Sequence, residues 1–313
     1  MTGVPIAQAP MARAPLAHAA PTLAVLGCGL LGGSTAGAWR RAGCVGTVRA
    51  FDRDARQAER AVALGLADVA AATLAEAVAD ADLILLATPV GAMPALLAEL
   101  ARHARADALI TDVGSTKVEV VAAARRALGE RAARFVPAHP IAGGALPGID
   151  QASATLFAER WVITTPDAGT AADALERVEA AWSACGARVA RMSAPEHDRI
   201  FAAVSHLPHL LAFALVHQIA GQPDGARKLQ FAGAGFQDFT RIAASDPAMW
   251  RDIALANRAA LVQELVQFRG QIDLLQAAVA AGDAQALDRF FGRASQARRG
   301  QVFGMVDGQA HGE

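Results

Sequence analysis

The chain has 313 residues, 53% of them hydrophobic, with 29 basic and 30 acidic side chains and a formal net charge of -1. That length suits two domains, each able to bury its own core, and the balanced charge removes any electrostatic case for nucleic acid or an anionic membrane surface. Three cysteines (Cys28, Cys44, Cys185) without CxxC spacing argue against a disulfide framework and a zinc site and leave a reducing, cytoplasmic setting as the default.

In chain order, residues 1–21 are rich in Ala and Pro, lack an apolar h-region and read as a disordered extension rather than a signal peptide. From 22 to 192, short apolar runs alternate with Ala-rich helical stretches. Strands are expected at 23–27, 48–52, 83–88, 108–112, 134–138, 161–165 and 187–191. This alternation predicts an α/β, doubly wound, mostly parallel sheet. A capping box, Ser193 to Glu196 with Pro195 in the first turn, opens an all-helical segment over 193–300. Helices are expected at 195–219, 226–234, 247–280 and 284–300. The long apolar-periodic stretch 247–280 predicts a homodimer interface, and 301–313 reads as a disordered tail. No run of the chain reads as a membrane span, and the absence of tyrosine excludes mechanisms that need a Tyr–Lys pair.

Gly27-Cys28-Gly29-Leu30-Leu31-Gly32 follows the first apolar strand and opens a helix. In that context the glycines allow a tight turn, close approach of a pyrophosphate, and close helix–strand packing. Asp52, 25 residues after Gly27, is placed to accept from ribose hydroxyls and so favours NAD; Arg53 beside it could tolerate the phosphate of NADP.

Three more loops fall at the carboxyl ends of expected strands, where open parallel sheets bind ligands. Thr88-Pro89 ends the third strand and can border the cofactor. In Asp112-Val113-Gly114-Ser115-Thr116-Lys117, Ser115 sits where an N-cap belongs. Lys117 places a cation in a first helical turn, a cost that a nearby anionic ligand would offset. In His139-Pro140, the imidazole titrates near neutrality and can take a proton from an alcohol as hydride leaves.

In the helical segment, Ser205, His206 and His209 lie near one face of an apolar helix that Pro208 should bend. No carboxylate or thiol pattern makes a metal site of the histidines. Arg241 is able to grip a carboxylate with two parallel hydrogen bonds, and Ser245 is a candidate N-cap for the helix that carries Trp250.

These motifs, in this order, resemble the prephenate/arogenate dehydrogenase family over about residues 22 to 295. The resemblance implies a Rossmann-type domain followed by an all-α dimerisation domain, and NAD-dependent oxidative decarboxylation of prephenate to 4-hydroxyphenylpyruvate, or of arogenate to tyrosine. It implies His139 as the base, Ser115 bonded to His139 and the substrate hydroxyl, and Arg241, His209, His206, Trp250 and Gln237 around the substrate. Gln237 stands where some relatives are basic, which opens the choice between prephenate and arogenate. With no separate regulatory domain, inhibition by tyrosine should act at the active site. A β-hydroxyacid dehydrogenase or a non-catalytic NAD-binding dimer would share the architecture, but the first usually places a catalytic lysine in the helical domain, where Lys228 is the only one here, and the second leaves His139, Ser115 and Arg241 without a task.

Overall fold

Short, wholly apolar runs become central strands because both faces of a parallel sheet are covered by helices. The computed structural model describes residues 20–143, 146 and 148–300; the expected extension through residue 19 and the tail from 301 lie outside the described residues. The strands are β1 (Leu23–Leu26), β2 (Val48–Phe51), β3 (Val69–Ala70), β4 (Leu83–Leu86), β5 (Leu109–Asp112), β6 (Phe135–Val136), β7 (Ala138–Pro140), β8 (Trp161–Thr164) and β9 (Arg188–Arg191). Every residue of β1, β4 and β5 is buried.

Six strands form a parallel sheet in the order β3-β2-β1-β4-β5-β6, the doubly wound order that places a ligand crevice where the winding reverses. The expected strand 134–138 is in fact two strands. Pro137 lacks an amide donor and divides it: β6 completes the parallel sheet, whereas β7 pairs antiparallel with β8 in a second sheet, β7-β8-β9. The corner swings His139, on β7, across the carboxyl edge of the main sheet.

The first six helices are α1 (Leu30–Arg41), α2 (Ala55–Ala63), α3 (Leu74–Val78), α4 (Met93–His103), α5 (Val118–Leu128) and α6 (Ala172–Ala184). On one face, Trp39 of α1 meets Trp182 of α6 edge-on, 5.0 Å between ring centroids. On the other, Met93, Leu97, Leu100 and Val120 of α4 and α5 pack on Ile84, Leu86 and Ile110.

The helical segment comprises α7 (Ala194–Phe201), α8 (Leu207–Ala220), α9 (Gly225–Gln230), α10 (Ala234–Thr240), α11 (Pro247–Ala256), α12 (Arg258–Ala281) and α13 (Ala284–Gly300). One π turn, Ala202–His206, joins α7 to α8. It lies just before Pro208, so the expected distortion takes the form of a widened turn. The run Ala194–Ala220 is therefore one continuous helix, long and apolar enough to cross a membrane, with a mean hydropathy of 1.6 in its most apolar window. That corrects the expectation that no segment qualifies. Some of its apolar surface serves the core: Leu210 and Phe213, with Trp250 and Ile253 of α11, pack on the second face of the sheet.

The chain divides into compact units at Arg258/Ala259. The expected boundary after Met192 marks the change from mixed to all-helical structure, while packing continues to residue 258. The expected helix 247–280 is broken at Asn257, which leaves helical conformation (φ -107°, ψ 29°) between α11 and α12.

Candidate active site

The glycine loop has the geometry its sequence predicts. Gly27 has φ +105°, and a Cβ there would meet the Ala87 carbonyl oxygen at 2.5 Å. A Cβ on Gly32 would fall 2.0 Å from the Gly27 carbonyl oxygen, so α1 can lie this close only as glycine. At Gly29 nothing lies within 4 Å, leaving open space at the N-terminus of α1. That terminus has no side-chain cap and no acidic residue in its first turn. Its free N–H groups and positive dipole end fit a pyrophosphate. Leu30 and Leu31 begin the helix, and Leu31 packs back on the core.

Asp52 follows β2, and its carboxylate accepts from the N–H of Cys28 (2.7 Å) and of Asp54 (3.0 Å). It is thus pinned to the glycine loop, where a ribose would lie. Arg53 is exposed. Thr88 borders Gly27, and its buried Oγ1 has no partner among the described residues; Pro89 leads into a short 3-10 turn.

The Asp112–Lys117 loop corrects two expectations. Ser115 is not the N-cap: α5 begins at Val118, with Lys117 in the cap position. Its cap is supplied from α7, where Asp198 accepts from the N–H of Lys117 (2.8 Å) and of Val118 (2.9 Å). Nor does Lys117 await an anionic ligand. It is fully buried, paired with the buried Asp112, and donates to the Ala138 carbonyl (2.7 Å). Asp112 also accepts from the N–H of Gly114 (2.8 Å) and of Ala138 (3.0 Å). This ion pair fastens the end of β5 to the residue before His139.

His139 is half-buried. Its Nδ1 lies 2.8 Å from Nε2 of His197, whose Nδ1 lies 2.8 Å from Asp198 Oδ1. The expected bond from Ser115 to His139 is therefore replaced at Nδ1 by His197. The Ser115 hydroxyl, half-buried, forms no hydrogen bond among the described residues. Phe201 packs edge-on against His139 at 4.9 Å. Burial first, then the neighbouring His197, Lys117 and His206, hold the His139 pKa well below the usual 6.5, so the ring is neutral at pH 7 and able to accept a proton.

His206 and His209, three residues apart at the start of α8, both lie against Trp250, with ring centroids 6.1 and 3.8 Å from it. His206 is buried, and its Nδ1 accepts from the Asn257 amide (3.1 Å), whose other N–H goes to the Asp198 carbonyl (2.7 Å). His209 is half-buried; its Nδ1–H donates to the Ser205 carbonyl (2.9 Å), and its ring stacks on Trp250 at 3.8 Å. Burial lowers the His209 pKa, and the nearby Arg241 lowers it further. Arg241 is exposed and unpaired with any carboxylate among the described residues. Gln237, on α10, is exposed and donates to the Ala232 carbonyl (3.0 Å). Ser245 is not the cap of α11; Asp246 accepts from Ala248 N–H (2.9 Å), while Ser245 bonds the Ile242 carbonyl.

Four residues here went unassigned in the sequence: Asp112, His197, Asp198 and Asn257. The adjacent His197-Asp198 pair inside a recognised helix start was the available signal.

A six-stranded doubly wound sheet, a phosphate cradle and a neutral histidine at the carboxyl edge define a dinucleotide-binding Rossmann protein. Comparison with known proteins narrows this. Residues 35–191 match the nucleotide-binding domain of prephenate dehydrogenase and residues 193–293 its dimerization domain. The chain belongs to the prephenate dehydrogenase family. It is 37% identical to the cyclohexadienyl dehydrogenase of Zymomonas mobilis, over 88% of this chain and 94% of that one. It is 36% identical to the prephenate dehydrogenase of Bacillus subtilis, over 89% of this chain and 76% of that one. The crystal structure of Aquifex aeolicus prephenate dehydrogenase with hydroxyphenyl propionate and NAD+ superposes with a TM-score of 0.83 at 31% identity, covering 91% of this chain and all of that one.

Proposed function

We propose that this chain is an NAD-dependent dehydrogenase that oxidises and decarboxylates prephenate to 4-hydroxyphenylpyruvate, supplying tyrosine synthesis. The observation that carries the reading is His139, neutral and half-buried, with an Nε2 that no group among the described residues occupies. The glycine cradle and Asp52 hold the dinucleotide, with Thr88, Pro89 and Gly114 along the strand ends. When bound, NAD supplies the hydride acceptor. His139 Nε2 takes the proton of the ring hydroxyl as the carbon beneath it is oxidised, and the Ser115 hydroxyl is free to steady that oxygen. The carbonyl so formed draws electrons through the ring as the ring carboxylate departs as carbon dioxide, leaving an aromatic phenolate that takes the proton back from His139. Arg241 pairs with a substrate carboxylate, and His209, held flat on Trp250, presents its second nitrogen to the same space.

Dual specificity is the second reading. A neutral Gln237 neither repels the ammonium of arogenate nor selects the keto acid of prephenate, and one relative is named for the broader cyclohexadienyl class. NADH formation from NAD with prephenate, then arogenate, then with NADP in place of NAD, tests all three points. Absence of turnover with either substrate would remove the proposal. Tyrosine shares the phenol and side-chain carboxylate of the product and is proposed as a competitive inhibitor; insensitivity to tyrosine would sink that.

The active form is proposed to be a homodimer. Val262, Val266, Leu274, Val279 and Phe291 are exposed on α12 and α13, within the matched dimerization domain, as is Val204 on the apolar helix. The three cysteines are unpaired, in keeping with a reducing, cytoplasmic setting.

A further inference from the structure

His197 and Asp198 are adjacent on α7, yet each reaches a different part of the fold. Asp198 accepts two backbone N–H groups at the start of α5, at 2.8 and 2.9 Å, and is therefore committed to accepting. A carboxylate that only accepts requires the proton of His197 to sit on Nδ1, 2.8 Å away. A neutral His197 then has a bare Nε2, which can only accept. Its partner, His139 Nδ1 at 2.8 Å, must be the donor. The proton of His139 is thus placed on Nδ1, and its lone pair on Nε2, the nitrogen without a partner among the described residues. The direction of this chain is set at its carboxylate end, 81 residues from the loop that Asp198 caps.

We infer that the Asp198–His197 pair positions His139 for proton abstraction, fixing its orientation and its tautomer so that the lone pair faces the substrate. This rests on the reading of His139 as the base, and adds two residues that touch neither substrate nor cofactor. The logic is that of a serine protease triad, in which a buried carboxylate holds a histidine in its reactive tautomer, with one further imidazole between. When His139 takes the proton, its Nδ1–H stays bonded to His197, so the new charge is stabilised without rearrangement. The groups that face the His139–His197 pair are Lys117 at the start of α5, Asp112 at the end of β5, Asp198 on α7 and His206 in the π turn. The cations and the carboxylates oppose one another there, so the charge on His139 is decided locally.

The test compares His197→Leu with His197→Gln, using ¹⁵N NMR of the imidazole nitrogens of His139 and steady-state kinetics. Wild-type protein should show His139 protonated on Nδ1 alone. His197→Leu should shift proton population to Nε2 and lower kcat on the order of 10²- to 10⁴-fold, the range for loss of general-base catalysis. KM for prephenate and the binding of NAD should not change. His197→Gln, whose side-chain oxygen can accept from Nδ1–H, should restore the tautomer and most of the rate. If the leucine variant does not fold, His197→Asn gives the same contrast, being able to bond Asp198 but too short to reach His139. A His139 tautomer or kcat that is unchanged in the leucine or asparagine variant would overturn the inference. The tautomer is read without substrate. Wild-type protein with the Nδ1–H form but no turnover would remove the proposed reaction and leave the positioning pair standing.

Discussion

Acid should destabilise this protein through His206 in a way that one substitution can isolate. His206 is buried, and its Nδ1 accepts a hydrogen bond from Asn257. Protonation would set N–H against N–H and leave a charge in the core. Burial, reinforced by His197 and His209 against the opposing pull of Asp198, pushes the pKa of His206 from 6.5 to about 4. Because the folded pKa is the lower one, the unfolded chain binds more protons between these values. Stability is then fully present above 6.5 and lost as pH falls through about 4. A difference of that size corresponds to about 3 kcal/mol lost between about pH 7 and pH 4. His206→Gln keeps an acceptor for Asn257 but does not titrate. Urea unfolding at both pH values, followed by tryptophan fluorescence, is the assay; Trp39, Trp161, Trp182 and Trp250 all lie before residue 258. The glutamine variant should lose about 3 kcal/mol less than wild type on acidification. An equal loss in both proteins, or an NMR titration of His206 near its ordinary value, would refute the reasoning.

Further substitutions separate binding from folding. Lys117→Met leaves Asp112 charged and buried and should cost about 3–5 kcal/mol of stability by denaturant unfolding; a cost below about 1 kcal/mol would show that the pair is dispensable. Gly29→Ala meets no protein atom and should leave the melting temperature unchanged while weakening NAD binding by calorimetry, whereas Gly32→Ala should lower both, its Cβ lying 2.0 Å from a carbonyl oxygen. Arg241→Ala should raise KM for prephenate by about 10- to 100-fold through loss of a charged hydrogen bond worth about 1.5–3 kcal/mol, with no change in stability, since Arg241 is exposed. An unaltered KM would remove Arg241 from the site.

Much of this architecture is written in local pattern. The central strands are apolar runs between turns, and each expected strand lies where structure forms. What escaped is what neighbours in the chain do not decide. Two exposed residues, Val69 and Ala70, form β3 only because β2 offers an edge. Pro137 was visible as a strand breaker, but that its two sides join different sheets is a tertiary fact. The glycine cradle and His139 were legible because their chemistry is local. His197 and Asp198 were not, since a His-Asp pair near a helix start looks like ordinary capping until the loops they serve, 58 and 81 residues away, are in place. Ser115 was assigned the cap that Asp198 provides, and Asn257 was buried in the pattern of one long helix.

Asp198 serves two selective pressures at once. Its oxygens start α5 and its hydrogen bond directs His197, so a lineage freed from the need for catalysis would still keep it in order to fold. His197 has no such second employment in the backbone. In a library selected for folding alone, position 198 should remain aspartate while position 197 drifts, and the two neighbours would part company only when catalysis is no longer required.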